Sequence, residues 1–291
     1  MGRLFKAFIF KARRDVTFRI TLIVGAGIAV FMTVLYLVLE HVMKDQLEGA
    51  KLLTGPNMLL NSFSPVQNFG IAIPINLISF TCLEFSQGTI RNKIIAGNSK
   101  FKIYASLCLS GLIFALALLI VYAGLCTALG SIFGGFNLDE PVAFANGVAA
   151  PLSGTFILQL LVVTLFSYVS IVSFAIFTST AFRAIGPCIP IVMITLMFAY
   201  LGVTIVSSIG QRMDVSSLET VLKVIDPLYA ISGGAECKYI TDVVDGETIK
   251  IPTSKIFMAT DTFVLGIVSN VVYAAIFFVA GSLLFKKRDV K

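Results

Sequence analysis

The chain has 291 residues, of which 57% are hydrophobic and only 13% are charged, and its mean hydropathy is +0.94. This composition excludes an ordinary soluble globular domain and predicts an integral membrane protein. The formal net charge of +6 indicates contact with anionic membrane lipids rather than with nucleic acid, because the basic residues are scattered along the flanks of apolar stretches.

The first 16 residues predict an amphipathic helix that lies on the membrane surface. On a helical wheel, apolar and basic side chains fall on opposite faces, with Phe10 as the exception. The apolar face comprises Phe5, Phe8, Ile9, Ala12 and Val16, and the basic face comprises Arg3, Lys6, Arg13 and Arg14. A basic, disordered segment is the alternative interpretation.

Six later stretches lack Asp, Glu, Lys and Arg and are long enough to cross a bilayer, which takes a helix of about 20 residues. They run from Ile20 to Leu39, Ser64 to Leu83, Ile103 to Leu129, Phe156 to Ser179, Gly186 to Ile209 and Thr262 to Phe285. The predicted fold class is an all-α integral membrane protein of six transmembrane helices, which form one domain over residues 1–291. Gly25 and Ala29, four residues apart, predict close helix packing in the first span.

The charges that flank these spans predict the orientation of the chain. Fifteen of the 22 basic residues flank the spans on one side, and 13 of the 16 acidic residues lie on the other side. Lys and Arg are retained on the cytoplasmic side of a membrane. We therefore expect a multi-pass membrane protein with both termini in the cytoplasm.

The segments on the acidic side predict structural features but no reactive site. There are three of them, Glu40 to Phe63, Gly130 to Gly154 and Gly210 to Asp261, and in the first Thr54 to Asn57 predicts a turn. Residues 210–261 predict a small outer cap with a β-hairpin, since Tyr239 to Val244 and Glu247 to Ile251 flank Asp245–Gly246, a pair that favours tight turns. The five cysteines give no disulfide framework, and no spacing of cysteine and histidine predicts a metal site.

The segment from Glu84 to Tyr104, EFSQGTIRNKIIAGNSKFKIY, predicts a short surface helix on the basic side. Gly88 permits a sharp turn, Thr89 is a candidate N-cap, and Gly97 is suited to end the helix before Ser99 caps the next one. A surface helix of this kind suits docking into a groove of another protein. The spacing alone favours a positively charged connector equally.

The run GTIRNKIIAG after Glu84, followed by SKFKIY, closely resembles the coupling-helix region of bacterial ATP-binding-cassette (ABC) exporter permeases of the six-span, type V (ABC-2-type) architecture. The resemblance covers the entire chain. The amphipathic N-terminal helix, the two inner loops, the large outer segment before span six and the basic end FKKRDVK are also similar to that family.

The resemblance implies a permease subunit that is not itself an enzyme and that moves cargo outward by alternating access. Its partners would be a second permease, either another copy or a paralogue, and a separate nucleotide-binding ATPase subunit that holds ATP and magnesium. The chain would bind no cofactor of its own, and it lacks the GxxxxGK[ST] phosphate loop of an ATPase. An uncharged route favours an amphipathic or hydrophobic cargo such as a peptide, a drug or a lipid-like compound.

The resemblance also implies roles for individual residues. The docking element would consist of Glu84, Gly88, Thr89, Arg91, Asn92, Lys93 and Gly97, with weaker support from Arg183. Spans two and five would line the route, with kinks at Pro74, Pro187 and Pro190 and an amide at bilayer depth from Asn76. A hydrogen bond from Asn76 to a neighbouring helix is the alternative interpretation of that residue.

An ion-coupled transporter or channel is the main alternative from another class. Such proteins usually carry an ionisable group at bilayer depth, and the six apolar stretches have none. An intramembrane protease would need paired histidines or a serine with a nearby base, whereas His41 is the sole histidine. A membrane immunity protein that transports nothing is a further alternative.

Overall fold

The computed structural model describes residues 6–10, 14, 16–42, 52–63, 72–143, 149–198, 235–244 and 247–287. Most of these residues are helical. In chain order the helices are α1 Val16–Val42, α2 Gly55–Phe63, α3 Ala72–Ser86, α4 Thr89–Ile95, α5 Lys100–Gly134, α6 Gly154–Phe182, α7 Ile185–Phe198 and α8 Thr260–Lys287. Residues 6–10 are also helical.

Four of these helices, α1, α5, α6 and α8, are long and apolar enough to cross a membrane, and they coincide with four of the six predicted spans. The shorter apolar helices α3 and α7 overlap predicted spans two and five. Residues 64–71 and 199–209, which would complete those two spans, lie outside the described residues. The chain is therefore a helical, multi-pass membrane protein.

Helix α6 lies at the centre of the helical bundle. In its most apolar stretch 61% of the residues are buried, against 39% or less in α1, α5 and α8. Several of its buried hydroxyl groups donate to its own backbone carbonyls, as Thr164 does to Leu160 at 2.7 Å and Ser179 does to Ala175 at 2.8 Å. These bonds satisfy the polar side chains inside an apolar interior.

Helix α1 lies at the edge of the bundle and packs against α5. Its buried residues are spaced four apart and are all small: Thr21, Gly25, Ala29 and Thr33. The prediction that Gly25 and Ala29 allow close packing is confirmed. Large apolar side chains point away from the bundle, with Ile23 71% and Phe31 64% exposed, as expected of a surface that faces lipid.

The described segments between the helices gather at two ends of the bundle. At one end, Nζ of Lys100 on α5 donates to the carbonyl of Lys286 on α8 at 3.1 Å, and the ring centroids of Phe85 and Phe285 lie 6.0 Å apart. We call this the basic end, because it also carries Lys93, Lys102, Arg183 and Lys287.

The opposite end, which we call the cap end, brings together the three segments predicted on the acidic side. Helix α2 packs against the end of α5, where the N–H of Gly55 donates to the carbonyl of Gly135 at 3.0 Å. An exposed ion pair joins Asp139 to Lys255 at 2.6 Å. Residues 151–153 bond to Ile256 of the third segment.

The predicted hairpin is present at the cap end. Strands β4 Tyr239–Val244 and β5 Glu247–Pro252 pair antiparallel with Val244 opposite Glu247, so Asp245–Gly246 is a two-residue connection. Among the shorter strands, β1 Val142–Ala143 pairs with β2 Ala149–Ala150, and β3 Ala235–Glu236 pairs with β6 Phe257–Met258. The predicted all-α class therefore describes the bundle but is wrong for the cap end, which contains these strands. Residues 210–234 of the predicted cap lie outside the described residues.

The predicted turn at Thr54 to Asn57 is the start of α2. The backbone N–H of Asn57 donates to Oγ1 of Thr54 at 3.4 Å, which makes Thr54 the N-cap of this helix. Pro56 then stands in the first helical turn, where its missing N–H needs no intrahelical acceptor. The turn prediction is wrong because residues that break a helix interior are also favoured at a helix start.

Candidate docking site at the basic end

Two glycines set the boundaries of the short helix α4, as the sequence predicts. Gly88 precedes the helix with a φ of 66°, and Gly97 follows it with a φ of 82°. The N–H of Gly97 donates to the carbonyl of Ile94 at 2.9 Å, and the N–H of Asn98 donates to that of Lys93 at 3.3 Å. This pair of bonds is typical of helices that end at a left-handed glycine.

Thr89 does not cap α4, so that prediction is wrong. Gly88 occupies the capping position, and Thr89 is the first residue of the helix. The Thr89 hydroxyl lies instead 2.6 Å from the Glu84 carboxylate and 2.9 Å from the Glu84 backbone carbonyl. Ser99 does cap α5 as predicted, since its side chain accepts from the N–H of Lys102 at 3.4 Å.

Glu84 lies in the last turn of α3, and its side chain is fully buried. Its Oε2 is 2.6 Å from Nζ of Lys93 on α4, whose side chain is 19% exposed. Nζ of Lys93 also lies 3.4 Å from the ring centroid of Phe8, a residue that is itself fully buried. Because a buried carboxylate is stable only when it is paired, Glu84 holds α4 in one position against the end of α3.

The opposite face of α4 is exposed. Arg91 and Asn92 are exposed, and Ile95 is 73% exposed, whereas Ile90 is buried beneath them. We call Arg91, Asn92 and Ile95 the docking face, because a basic, an amide and an apolar side chain together offer the mixed contacts of a protein interface.

The residues predicted as one docking element therefore take three different positions. Glu84, Thr89 and Lys93 form internal contacts, Gly88 and Gly97 set the turns, and Arg91 and Asn92 are exposed. The contact between Phe8 and Lys93 was not predicted, because residues 85 positions apart offer no local signal in the sequence.

Arg183 occupies the turn between α6 and α7 in a left-handed conformation with a φ of 56°. Its N–H donates to the carbonyl of Ser179 at 2.8 Å. Its guanidinium carbon lies 5.4 Å from the ring centroid of Phe85, at the end of α3. The predicted secondary contact is thus adjacent to the element that supports α4, and Arg183 is only partly exposed.

The residues predicted along the route lie in α3 and α7. Pro74 and Pro187 are each the third residue of their helix, a position where proline does not interrupt the hydrogen bonds. The part of span two before α3, where a kink at Pro74 would be visible, lies outside the described residues. Pro190 is the sixth residue of α7, where it removes one backbone donor from the helix interior.

Asn76 is buried between two helices. It is 5% exposed, and its Oδ1 accepts a hydrogen bond of 2.6 Å from the Thr21 hydroxyl on α1. The alternative interpretation of this residue, a hydrogen bond to a neighbouring helix, is therefore the one observed.

Comparisons with family models, curated proteins and solved structures find no match for this chain. Across the described ranges, no group of three or more histidine, cysteine, aspartate or glutamate side chains is placed to hold a metal. The best-defined candidate functional site at the basic end is the docking face of α4, where Arg91, Asn92 and Ile95 are exposed side by side.

Proposed function

We propose that this chain is the permease subunit of an ATP-driven exporter and that α4 is the element through which a separate ATPase subunit acts on it. The observation that carries the proposal is the position of α4. The helix is fixed on one side by the buried Glu84–Lys93 pair and presents Arg91, Asn92 and Ile95 on the other. A surface that is held in place internally and exposed externally is suited to receive force from a bound partner.

Transmission of that force follows from the connections of α4. The helix is joined to α3 through Gln87–Gly88 and to α5 through residues 96–99. The buried ion pair ties it to the last turn of α3, and the Ser99 cap gives α5 a defined start. A displacement of α4 is therefore expected to move the ends of both neighbouring helices together, as in other shear and hinge transitions.

The wider proposal is a six-span permease of the ABC-2 type, in which α3 and α7 belong to spans two and five. The basic end would face the cytoplasm of a bacterium, with both termini on that side. A second copy or a paralogue would complete the route, and the ATPase subunit would hold ATP and magnesium. The cargo would be an amphipathic or hydrophobic peptide, drug or lipid-like compound, moved outward by alternating access.

The paired substitutions Arg91→Glu and Ile95→Asp test the docking face. Exposed contacts at the centre of an interface typically contribute about 2 kcal/mol each, so the pair is expected to lower the amount of co-purified ATPase at least tenfold. The amount and the thermal stability of the chain should stay unchanged, because both side chains are exposed. Co-purification from native membranes, with quantification of the ATPase subunit, is the measurement.

Lys287→Glu is the matched control, since it reverses a charge at the same end of the bundle on a different helix. Loss of the ATPase in the control as well would show that general surface charge, and not the docking face, holds the partner. Transport that persists in the paired variant and stops when the proton gradient is collapsed would favour an ion-coupled carrier instead.

A further inference from the structure

An apolar cleft of about 360 Å³ lies between α5, α6 and α8. Its walls are formed by Ala105, Leu109 and Leu112 of α5, Val172 of α6, and Ala275 and Phe278 of α8. The small side chains of Ala105 and Ala275 leave the space that larger residues would fill. Its volume falls in the range of roughly 300–1,000 Å³ that is usual for ligand sites.

The cleft occupies the depth of lipid acyl chains on the basic side of the bundle. At about 1.5 Å rise per residue, Ala105 and Leu112 lie roughly 5 and 15 Å beyond Lys102 along α5. By the same measure, Phe278 and Ala275 lie roughly 12 and 16 Å from Lys286 along α8. Both helices therefore place the cleft within one leaflet, since half of a bilayer core is about 15 Å thick.

Two exposed lysines stand above the cleft on the helices that form its walls. Lys102 precedes Ala105 and Leu109 by three and seven residues, a spacing that puts all three on one face of α5. Lys286 follows Ala275 by eleven residues, about three helical turns, which places both on the same face of α8. The bond from Lys100 to the Lys286 carbonyl holds these two helix ends side by side.

We propose that this cleft is a binding site for one anionic phospholipid. One acyl chain would lie against Leu109, Leu112 and Phe278, and the phosphate would lie between Lys102 and Lys286. A zwitterionic lipid fits the cleft equally well, but it leaves the two ammonium groups without a net negative partner. The proposal depends only on this cleft and its lysines, and it stands independently of the docking face on α4.

The absence of tryptophan from the sequence allows a direct test. Leu109→Trp places a single fluorophore in the cleft of the full chain, reconstituted in vesicles of phosphatidylglycerol and phosphatidylcholine. Brominated acyl chains quench tryptophan on contact. Brominated phosphatidylglycerol is expected to associate about tenfold more strongly than brominated phosphatidylcholine, because each lysine attracts the anionic headgroup. Adding Lys102→Gln and Lys286→Gln should reduce this preference to less than about twofold.

Leu283→Trp is the matched control, since Leu283 is 53% exposed on α8 and lies four residues before Lys287, away from the cleft. An equal preference for phosphatidylglycerol at this position would overturn the proposal, because it would reflect general surface charge. Equal quenching by the two lipids at Leu109→Trp would also overturn it.

A second variant tests the cleft without a fluorophore in it. Ala275→Phe fills the space between α5 and α8, whereas Ile276→Phe adds the same ring at a neighbouring position that is 54% exposed. Native mass spectrometry should find phosphatidylglycerol retained by the unaltered chain and by Ile276→Phe but lost from Ala275→Phe. Retention that is the same in all three would overturn the proposal.

Discussion

Replacing Lys93 with methionine is expected to destabilise the protein by about 3–5 kcal/mol, the usual cost of removing one partner of a buried ion pair. The Glu84 side chain is fully buried, and Lys93 lies 2.6 Å from it. Without Lys93, the carboxylate retains the Thr89 hydroxyl among its neighbours but no longer has this positive charge beside it. Helix α4 should then separate from the end of α3, so that water reaches Glu84.

Thermal unfolding of the purified protein measures this effect, and a fall of several degrees in the midpoint is expected. Arg91→Met is the matched control, because Arg91 is exposed on the same helix and its loss should change stability by less than about 0.5 kcal/mol. Combining Lys93→Met with Glu84→Gln removes both charges and should restore part of the lost stability. If the single and control variants unfold at the same temperature, Glu84 does not hold α4 in place.

Replacing Gly134 with alanine is expected to displace α2 from the end of α5. A Cβ at Gly134 would overlap the backbone carbonyl oxygen of Leu53 and would lie 3.1 Å from the Cα of Thr54. Because both neighbours are backbone atoms, no side-chain rotation relieves the overlap, and α2 must shift. Overpacking of this kind typically costs about 1–3 kcal/mol.

Gly124→Ala is the control, and it is expected to change the stability of the protein in the opposite direction. Gly124 lies in the same helix, α5, and a Cβ there would meet no atom of the described residues within 4 Å. Alanine at this position should stabilise the helix by about 0.5–1 kcal/mol. Thermal unfolding and protease sensitivity of the segment around α2 distinguish the two variants. A Gly134→Ala protein as stable as Gly124→Ala would contradict the observed packing of α2 on α5.

Features governed by local rules were predictable from the sequence. Gly88 and Gly97 mark the ends of α4 because left-handed backbone conformations favour glycine. The hairpin follows from two alternating strands around Asp245–Gly246. The long apolar stretches that form α1, α5, α6 and α8 were predictable for a similar reason, since a helix that crosses lipid requires an uninterrupted run of apolar residues.

Contacts between distant segments were not predictable in the same way. Thr89 has a side chain suited to capping, but the buried Glu84 carboxylate offers it a nearer acceptor once α3 and α4 are in place. Phe8 was expected to face lipid and instead contacts Lys93. The cleft between α5, α6 and α8 depends on small residues from three helices, and no spacing within one helix reveals which small residues will meet.

Photo-crosslinking tests most directly the proposed binding of a separate ATPase to the docking face of α4. A photo-crosslinking residue at position 95, which is 73% exposed on α4, can be compared with one at position 272, which is 48% exposed on α8. We expect position 95, and not position 272, to crosslink in native membranes to a protein that carries a GxxxxGK[ST] phosphate loop. Two results together would contradict the proposed binding. The first is that position 95 crosslinks to no protein with this loop, and the second is that the purified chain transports cargo in vesicles that lack nucleotide.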